Sequence, residues 1–134
     1  MEKAKLEWLS SVKESFGDCV EIAFLDNVPI GFFQYAFPKH FPRVQDYVSG
    51  PPSGDAVFIA CLHITSEKHR GKGYGTAMLR HLLKELGERG FMAVETFARV
   101  NSANNPSGPL AFYLKNGFKM ISQKDDFPLV RLEL

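Results

Sequence analysis

Arg70-Gly71-Lys72-Gly73-Tyr74-Gly75 is the stretch of this 134-residue chain whose residue types and spacing most directly imply chemistry. It stands between an apolar, β-forming run, Ala56 to Ile64, and a segment in which Met78, Leu79, Leu82, Leu83 and Leu86 share one helical face. A strand, a glycine-rich turn and a helix start, in that order, aim backbone N–H groups and the positive end of a helix dipole at one point, where phosphate binds. Lys68, His69, Arg70 and Lys72 make the turn basic. Spacing removes two familiar phosphate loops. Thr76 stands where a dinucleotide fingerprint needs its third glycine, and Gly73 follows Lys72 where a P-loop needs Ser or Thr. The alternative reading, a connector that only turns tightly, leaves unexplained why three alternating glycines accept their entropic cost.

What is left, Arg-x-x-Gly-x-Gly between a strand and a helix, resembles the acetyl-coenzyme A signature of the GCN5-related N-acetyltransferases. A later segment, Asn105-Pro106-Ser107-Gly108-Pro109-Leu110-Ala111-Phe112-Tyr113-Leu114-Lys115-Asn116-Gly117-Phe118, resembles the same family's short helix ending in Tyr-x-x-x-Gly-Phe. It reads sensibly unaided, since Pro109 suits a first helical position and Asn116-Gly117 a left-handed C-terminal cap. The resemblance spans roughly residues 20–134.

The resemblance implies an acetyl-CoA-dependent transferase acting on a primary amine by direct attack, with acetyl-CoA as cosubstrate and no metal. Backbone N–H groups of Gly71, Lys72, Gly73, Tyr74, Gly75 and Thr76 would hold the pyrophosphate, with charge from Arg70 and Lys72. The pantetheine arm would pair with Leu62-His63-Ile64 as an added strand, and Asn105 would touch it. Tyr113 would donate to the leaving thiolate. An amine near pKa 10 must lose a proton before it attacks, so a base is also needed. Glu95, His63 and Asp55 are candidates, Glu95 first. Each has a plain alternative: a solvated strand residue, a sheet-surface imidazole and a turn former. Phe41 and Tyr47 either line an acceptor pocket or pin their loop to the core. The alternatives of another class are a non-catalytic coenzyme A-binding module and an acyltransferase using a longer acyl-CoA.

The elements that must position these residues follow from periodicity. Leu6, Leu9, Val12 and Phe16 make a helical stripe closed by Gly17. Cys19–Leu25 and Ile30–Phe37 read as a hairpin about Asp26-Asn27-Val28-Pro29. From Pro38 to Gly54 the pattern dissolves into a long irregular loop. Strand 56–64, the turn and the helix come next, then strand 91–97, a polar loop, the short helix of Tyr113, and strands 118–122 and 127–134. This order predicts one α+β domain with a mixed, mainly antiparallel sheet flanked by helices. Against the family pattern the first strand and one early helix are missing or shortened. Loop 38–54 or a partner subunit would then wall the acceptor site, and uncovered sheet edges predict a homodimer.

Composition sets the class. Hydrophobic residues make up 45% and charged residues 23%, with a formal net charge of +1, which excludes a nucleic-acid binder that relies on bulk charge. No apolar run is long enough to span a membrane, and Met1-Glu2-Lys3 leads into an amphipathic segment, not a signal peptide, so a cytoplasmic protein is expected. Cys19 and Cys61 form no CxxC pair and read as buried thiols, and the four histidines lack zinc-ligand spacing.

Overall fold

A computed structural model describes residues 2–64, 73–100 and 109–134. Helix α1 (Glu2–Ser15) leads into the hairpin of β1 (Val20–Leu25) and β2 (Val28–Ala36). Asp26 and Asn27 both take positive φ, 50° and 67°, and Leu25 pairs with Val28. That is a two-residue turn whose twist matches the strands it joins, which explains why β2 starts two residues earlier than periodicity alone suggests. Two short 3-10 turns, Pro38–His40 and Pro42–Asp46, each opened by a proline, give the expected irregular loop some regularity. Then come β3 (Val57–Ile64), α2 (Tyr74–Glu88), β4 (Ala93–Phe97), α3 (Leu110–Lys115), β5 (Lys119–Ser122) and β6 (Leu129–Glu133).

The six strands form one sheet in the order β1-β2-β3-β4-β6-β5, with β3 and β4 parallel and every other pair antiparallel. The mixed, mainly antiparallel α+β layout expected from sequence is thus what forms. Alternation along the strands divides the apolar residues between the two faces. Val57, Ile59, Val94 and Val130 pack with Met78, Leu79, Leu82 and Leu86 of α2 and with Tyr113 of α3. Phe58, Phe97 and Leu129 turn the other way and are covered by Val44 of the 38–54 loop. Phe91 lies just outside β4, where its ring stacks on Phe16 at 5.1 Å. Cys19 is buried as expected while Cys61 is only half-buried, and burial pushes both thiols up from their ordinary pKa.

Candidate functional site

The parallel pair at the centre of the sheet opens almost as soon as it forms. Its register holds only at Val57↔Val94 and Phe58↔Glu95. One step further, the Thr96 hydroxyl donates to the Ile59 carbonyl at 2.8 Å, so a side chain takes the place of the next ladder bond. Beyond that point β3 stays with β2 as far as Gly31↔Ile64, and β4 stays with β6 as far as Phe97↔Leu129. Among the described residues no strand pairs with the β4-facing edge of Ala60 to His63. The result is a V-shaped gap through the sheet with one backbone edge ready to take an extended ligand.

Helix α2 is the element that follows β3 in the chain. Gly73 caps it in the left-handed region at φ +85°, a conformation costly for any residue with a Cβ, and among the described residues no atom lies within 4 Å of an added Cβ there. The first intrahelical bond runs from Ala77 N–H to the Gly73 carbonyl at 3.0 Å. No acidic residue lies in the first turn and no side chain caps it. This helix end therefore presents backbone donors and an uncompensated dipole, with room beside the glycine for an anion. Tyr74 and Thr76 are half-buried in the same turn. Arg70, Gly71, Lys72 and Asn105 lie outside the described residues.

The two sequence motifs meet in space. A Cβ on Gly75 would lie 3.5 Å from the Phe112 ring, so the first turn of α2 abuts α3. Helix α3 is tied to the end of β4 by Leu110 N–H donating to the Arg99 carbonyl at 3.0 Å. Its end follows the expected pattern, with Gly117 at φ +94° just after the C-cap Asn116. Tyr113 is fully buried, its ring edge-on to Phe112 at 5.2 Å and to Phe118 at 5.1 Å.

The base candidates separate. Leu62 and Phe33 pair and face the α2 side, so His63 faces the opposite side, half-buried with its ring 5.6 Å from Phe32. Ile64 closes β3. Glu95 shares that opposite face, yet it is no solvated strand residue: it is 1% exposed. Its carboxylate accepts from Ser53 N–H at 2.7 Å and from Arg131 Nη1 at 2.8 Å. The same guanidinium reaches Asp55 at 3.2 Å and Glu133 at 2.6 Å. These carboxylates hold Arg131 firmly protonated, and its hydrogen bond keeps the exposed Asp55 carboxyl below its usual pKa. Glu95 and Asp55 are thus two arms of one ion-pair network. Sequence reasoning missed Arg131, whose signal was a lone cation inside the alternating strand 127–134. Phe41 and Tyr47 serve their loop: Tyr47 stacks on Phe97 at 4.3 Å, and Phe41 packs on Phe58 and Trp8. Ser49, 2% exposed, receives the Lys124 N–H at 2.9 Å and closes the loop over the β5–β6 turn.

Comparison with known proteins agrees with this geometry. The model of a family described as the acetyltransferase (GNAT) family matches residues 2–118. Among solved structures, the PaiA N-acetyltransferase of Thermoplasma acidophilum in complex with coenzyme A superposes with TM-score 0.66 at 16% identity, over 98% of this chain and 70% of that one. A ribosomal-protein-alanine N-acetyltransferase of Brucella melitensis gives TM-score 0.66 at 18% identity, over 98% and 78%. Arabidopsis thaliana Naa50 in complex with the bisubstrate analogue CoA-Ac-MVNAL gives 0.62 at 16%, over 96% and 80%. At these identities the structures attest the fold. No curated protein matches the chain in sequence.

Proposed function

The chain belongs to the acetyltransferase (GNAT) family, and from that premise we propose how its own residues carry out acetyl transfer from acetyl-CoA to an amine. The observation that carries the proposal is the meeting of the two motifs: Gly75 lies against Phe112, so the first turn of α2 abuts the helix of Tyr113. The open space at Gly73 suits a phosphate drawn close to the N–H groups of Tyr74, Gly75 and Thr76. Arg70, Lys72 and Gly71 would complete this cradle, and Asn105 would reach the pantetheine. The edge of β3 at Leu62 and His63, which no described strand covers, then pairs with the pantetheine amides, with Ile64 at its end, and fixes the thioester in the gap.

Transfer across such a gap uses both faces of the sheet. The α2 and α3 side carries Tyr113, which donates a hydrogen bond to the sulfur as negative charge develops there. The opposite side receives the amine. Glu95 was the expected base, but its sealed carboxylate is engaged by Arg131 and Ser53, so we assign it to positioning: it fixes the floor beneath the gap. His63, on the acceptor side and outside that network, is the group we assign to take the amine's proton. The pH dependence of kcat/KM decides between them. His63→Gln should flatten the acidic limb, whereas Glu95→Gln should lower stability and leave the limb in place. The reverse pattern returns the base role to Glu95.

A panel of amines, peptide N-termini and lysine peptides, with thiol release as the readout, tests the activity itself. Tight acetyl-CoA binding with no turnover on any acceptor makes the chain a coenzyme A-binding module, and preference for longer acyl-CoA makes it a different acyltransferase. We also propose a homodimer across edge strand β1, whose outward Val20 and Ile22 are 41% and 56% exposed. A clean 15.1 kDa monomer in sedimentation at micromolar concentration would count against it.

A further inference from the structure

A second polar cluster lies on the α2 side of the sheet, away from the gap. Glu21 on β1 faces Glu85 on α2, and Tyr35 of β2 stands between them, its hydroxyl 3.1 Å from Glu21 Oε1 and 3.3 Å from Glu85 Oε2. One phenol has one proton to donate, so it cannot satisfy both carboxylates at once. The nearest basic partner is His81, whose Nε2 is 3.7 Å from Glu21 Oε2. Among the described residues no lysine or arginine forms an ion pair with either carboxylate. The Glu21 side chain is only 20% exposed, so the arrangement is short of positive charge in a place where water screens it poorly. Burial first, and the contact with Glu85 next, push the Glu21 carboxyl up to about 7.

Beside this cluster runs a groove of about 330 Å³ between the β1–β2 hairpin and α2. Glu21 and His81 sit at its polar end, and Phe24, Leu25, Ile30, Phe33 and Met78 form its apolar walls. A concave apolar groove that ends in the Glu21 carboxyl, itself backed by Glu85, has the form of a small-molecule site. We propose that it binds an organic ammonium ion, with the charged nitrogen against Glu21, which Glu85 backs, and an apolar body along the groove. Three N–H donors supply what the single Tyr35 proton cannot. A metal ion is the competing occupant, because Glu21, His81 and Glu85 each offer a ligand atom, all within 4.8 Å of one another. It would leave the apolar walls unused.

This site is not the acceptor site of the transfer reaction. In the sheet order β1 is two strands from β3, and an amine held by two carboxylates stays protonated and cannot attack. It is a site for an effector. Tyr74, which lines the groove, belongs to the first turn of α2, the turn that meets the donor phosphate in the function proposed above, so an occupant there is coupled to donor affinity. The coupling rests on that function; the site does not.

Calorimetry with hexylamine, hexan-1-ol and Zn²⁺ on the full chain tests the proposal. Hexylamine should bind once per chain and at least tenfold more tightly than hexan-1-ol. A Glu21→Gln, Glu85→Gln double variant should erase that preference while keeping the weak alcohol binding. Ala77→Phe, which places a ring at the groove wall, should block both ligands and guards against the double variant failing to fold. Equal affinity for alcohol and amine, or an unchanged preference in the double variant, would overturn the proposal. So would stoichiometric Zn²⁺ binding lost in His81→Ala and indifferent to hexylamine. Saturating hexylamine should also shift acetyl-CoA affinity at least threefold. A chain that binds hexylamine but no acetyl-CoA would sink the transferase mechanism and leave the groove assignment standing.

Discussion

Gly73 and Gly75 lie two residues apart in one turn, yet replacing each with alanine should have opposite consequences. Gly73 sits at φ +85°, where a Cβ costs about 1–2 kcal/mol. Among the described residues no neighbouring atom lies within 4 Å of that Cβ, so the penalty counted here is conformational. For 134 residues the unfolding entropy is about 0.28 kcal/mol per kelvin, so Gly73→Ala should lower Tm by about 4–7 °C. Gly75 is already helical, and its Cβ would make ordinary contact with Phe112 at 3.5 Å. Gly75→Ala should therefore gain part of the roughly 1 kcal/mol by which alanine outranks glycine in a helix, raising Tm by about 2–3 °C. Ligand binding sharpens the contrast. The methyl at position 73 enters the space assigned to the phosphate and should weaken coenzyme A at least tenfold, about 1.4 kcal/mol. The methyl at 75 points at α3 and should leave affinity within about twofold, roughly 0.4 kcal/mol. Differential scanning calorimetry and titration calorimetry on the two variants read all four quantities. Parental coenzyme A affinity in Gly73→Ala, or a larger loss in Gly75→Ala, would refute the placement of the donor.

Tyr113→Phe should lower the single-turnover rate by about ten- to a thousandfold with acetyl-CoA affinity nearly unchanged; a parental rate would leave Tyr113 as a packing residue between Phe112 and Phe118. Arg131→Met should cost about 3–5 kcal/mol in denaturant unfolding, because it strands the buried Glu95 carboxylate, and adding Glu95→Gln should recover part of that loss; strict additivity of the two would deny the coupling. Glu21 gives a pH signature. Its folded pKa, about 7, lies above the ordinary 4.5, so its contribution to stability is full below pH 4.5 and is lost as pH rises through 7. Glu21→Gln should accordingly stabilise the protein by about 1 kcal/mol more at pH 8 than at pH 4.5, a figure discounted for the solvent that still reaches the group. An equal effect at both pH values would show that Glu21 ionises normally.

What could be read from sequence was whatever local chain geometry dictates. The glycine-rich turn announced itself because a left-handed cap needs glycine and because five apolar residues share one face of α2. The hairpin was visible in Asp26-Asn27, although its two-residue turn moved the start of β2 to Val28. The short helix of Tyr113 was bounded by Pro109 and Gly117, both local signals. Helix α1 and the succession of elements along the chain needed only periodicity and connection rules.

Long-range pairing is where the reading ran out, and Glu95 shows why. Its neighbours in sequence, Val94 and Thr96, say only that it alternates with buried residues; Ser53 and Arg131 are 42 and 36 residues away. Register across β4 and β6 sets Glu95 opposite Arg131, and no local pattern encodes that register. The same limit hid the Glu21–Glu85 pair, whose members lie on different elements and meet only when α2 packs across the hairpin. Histidine spacing, the test that sequence allows for a metal, could not find a set in which the carboxylates come from β1 and α2. The gap itself was equally silent: Val57-Phe58-Ile59 and Val94-Glu95-Thr96 read as ordinary buried strands. It takes the Thr96 hydroxyl on the Ile59 carbonyl to show that their ladder stops after two pairs. A chain can thus display a glycine-rich turn while leaving unstated which carboxylate meets which cation. The first is a property of one turn, and the second of the sheet as a whole.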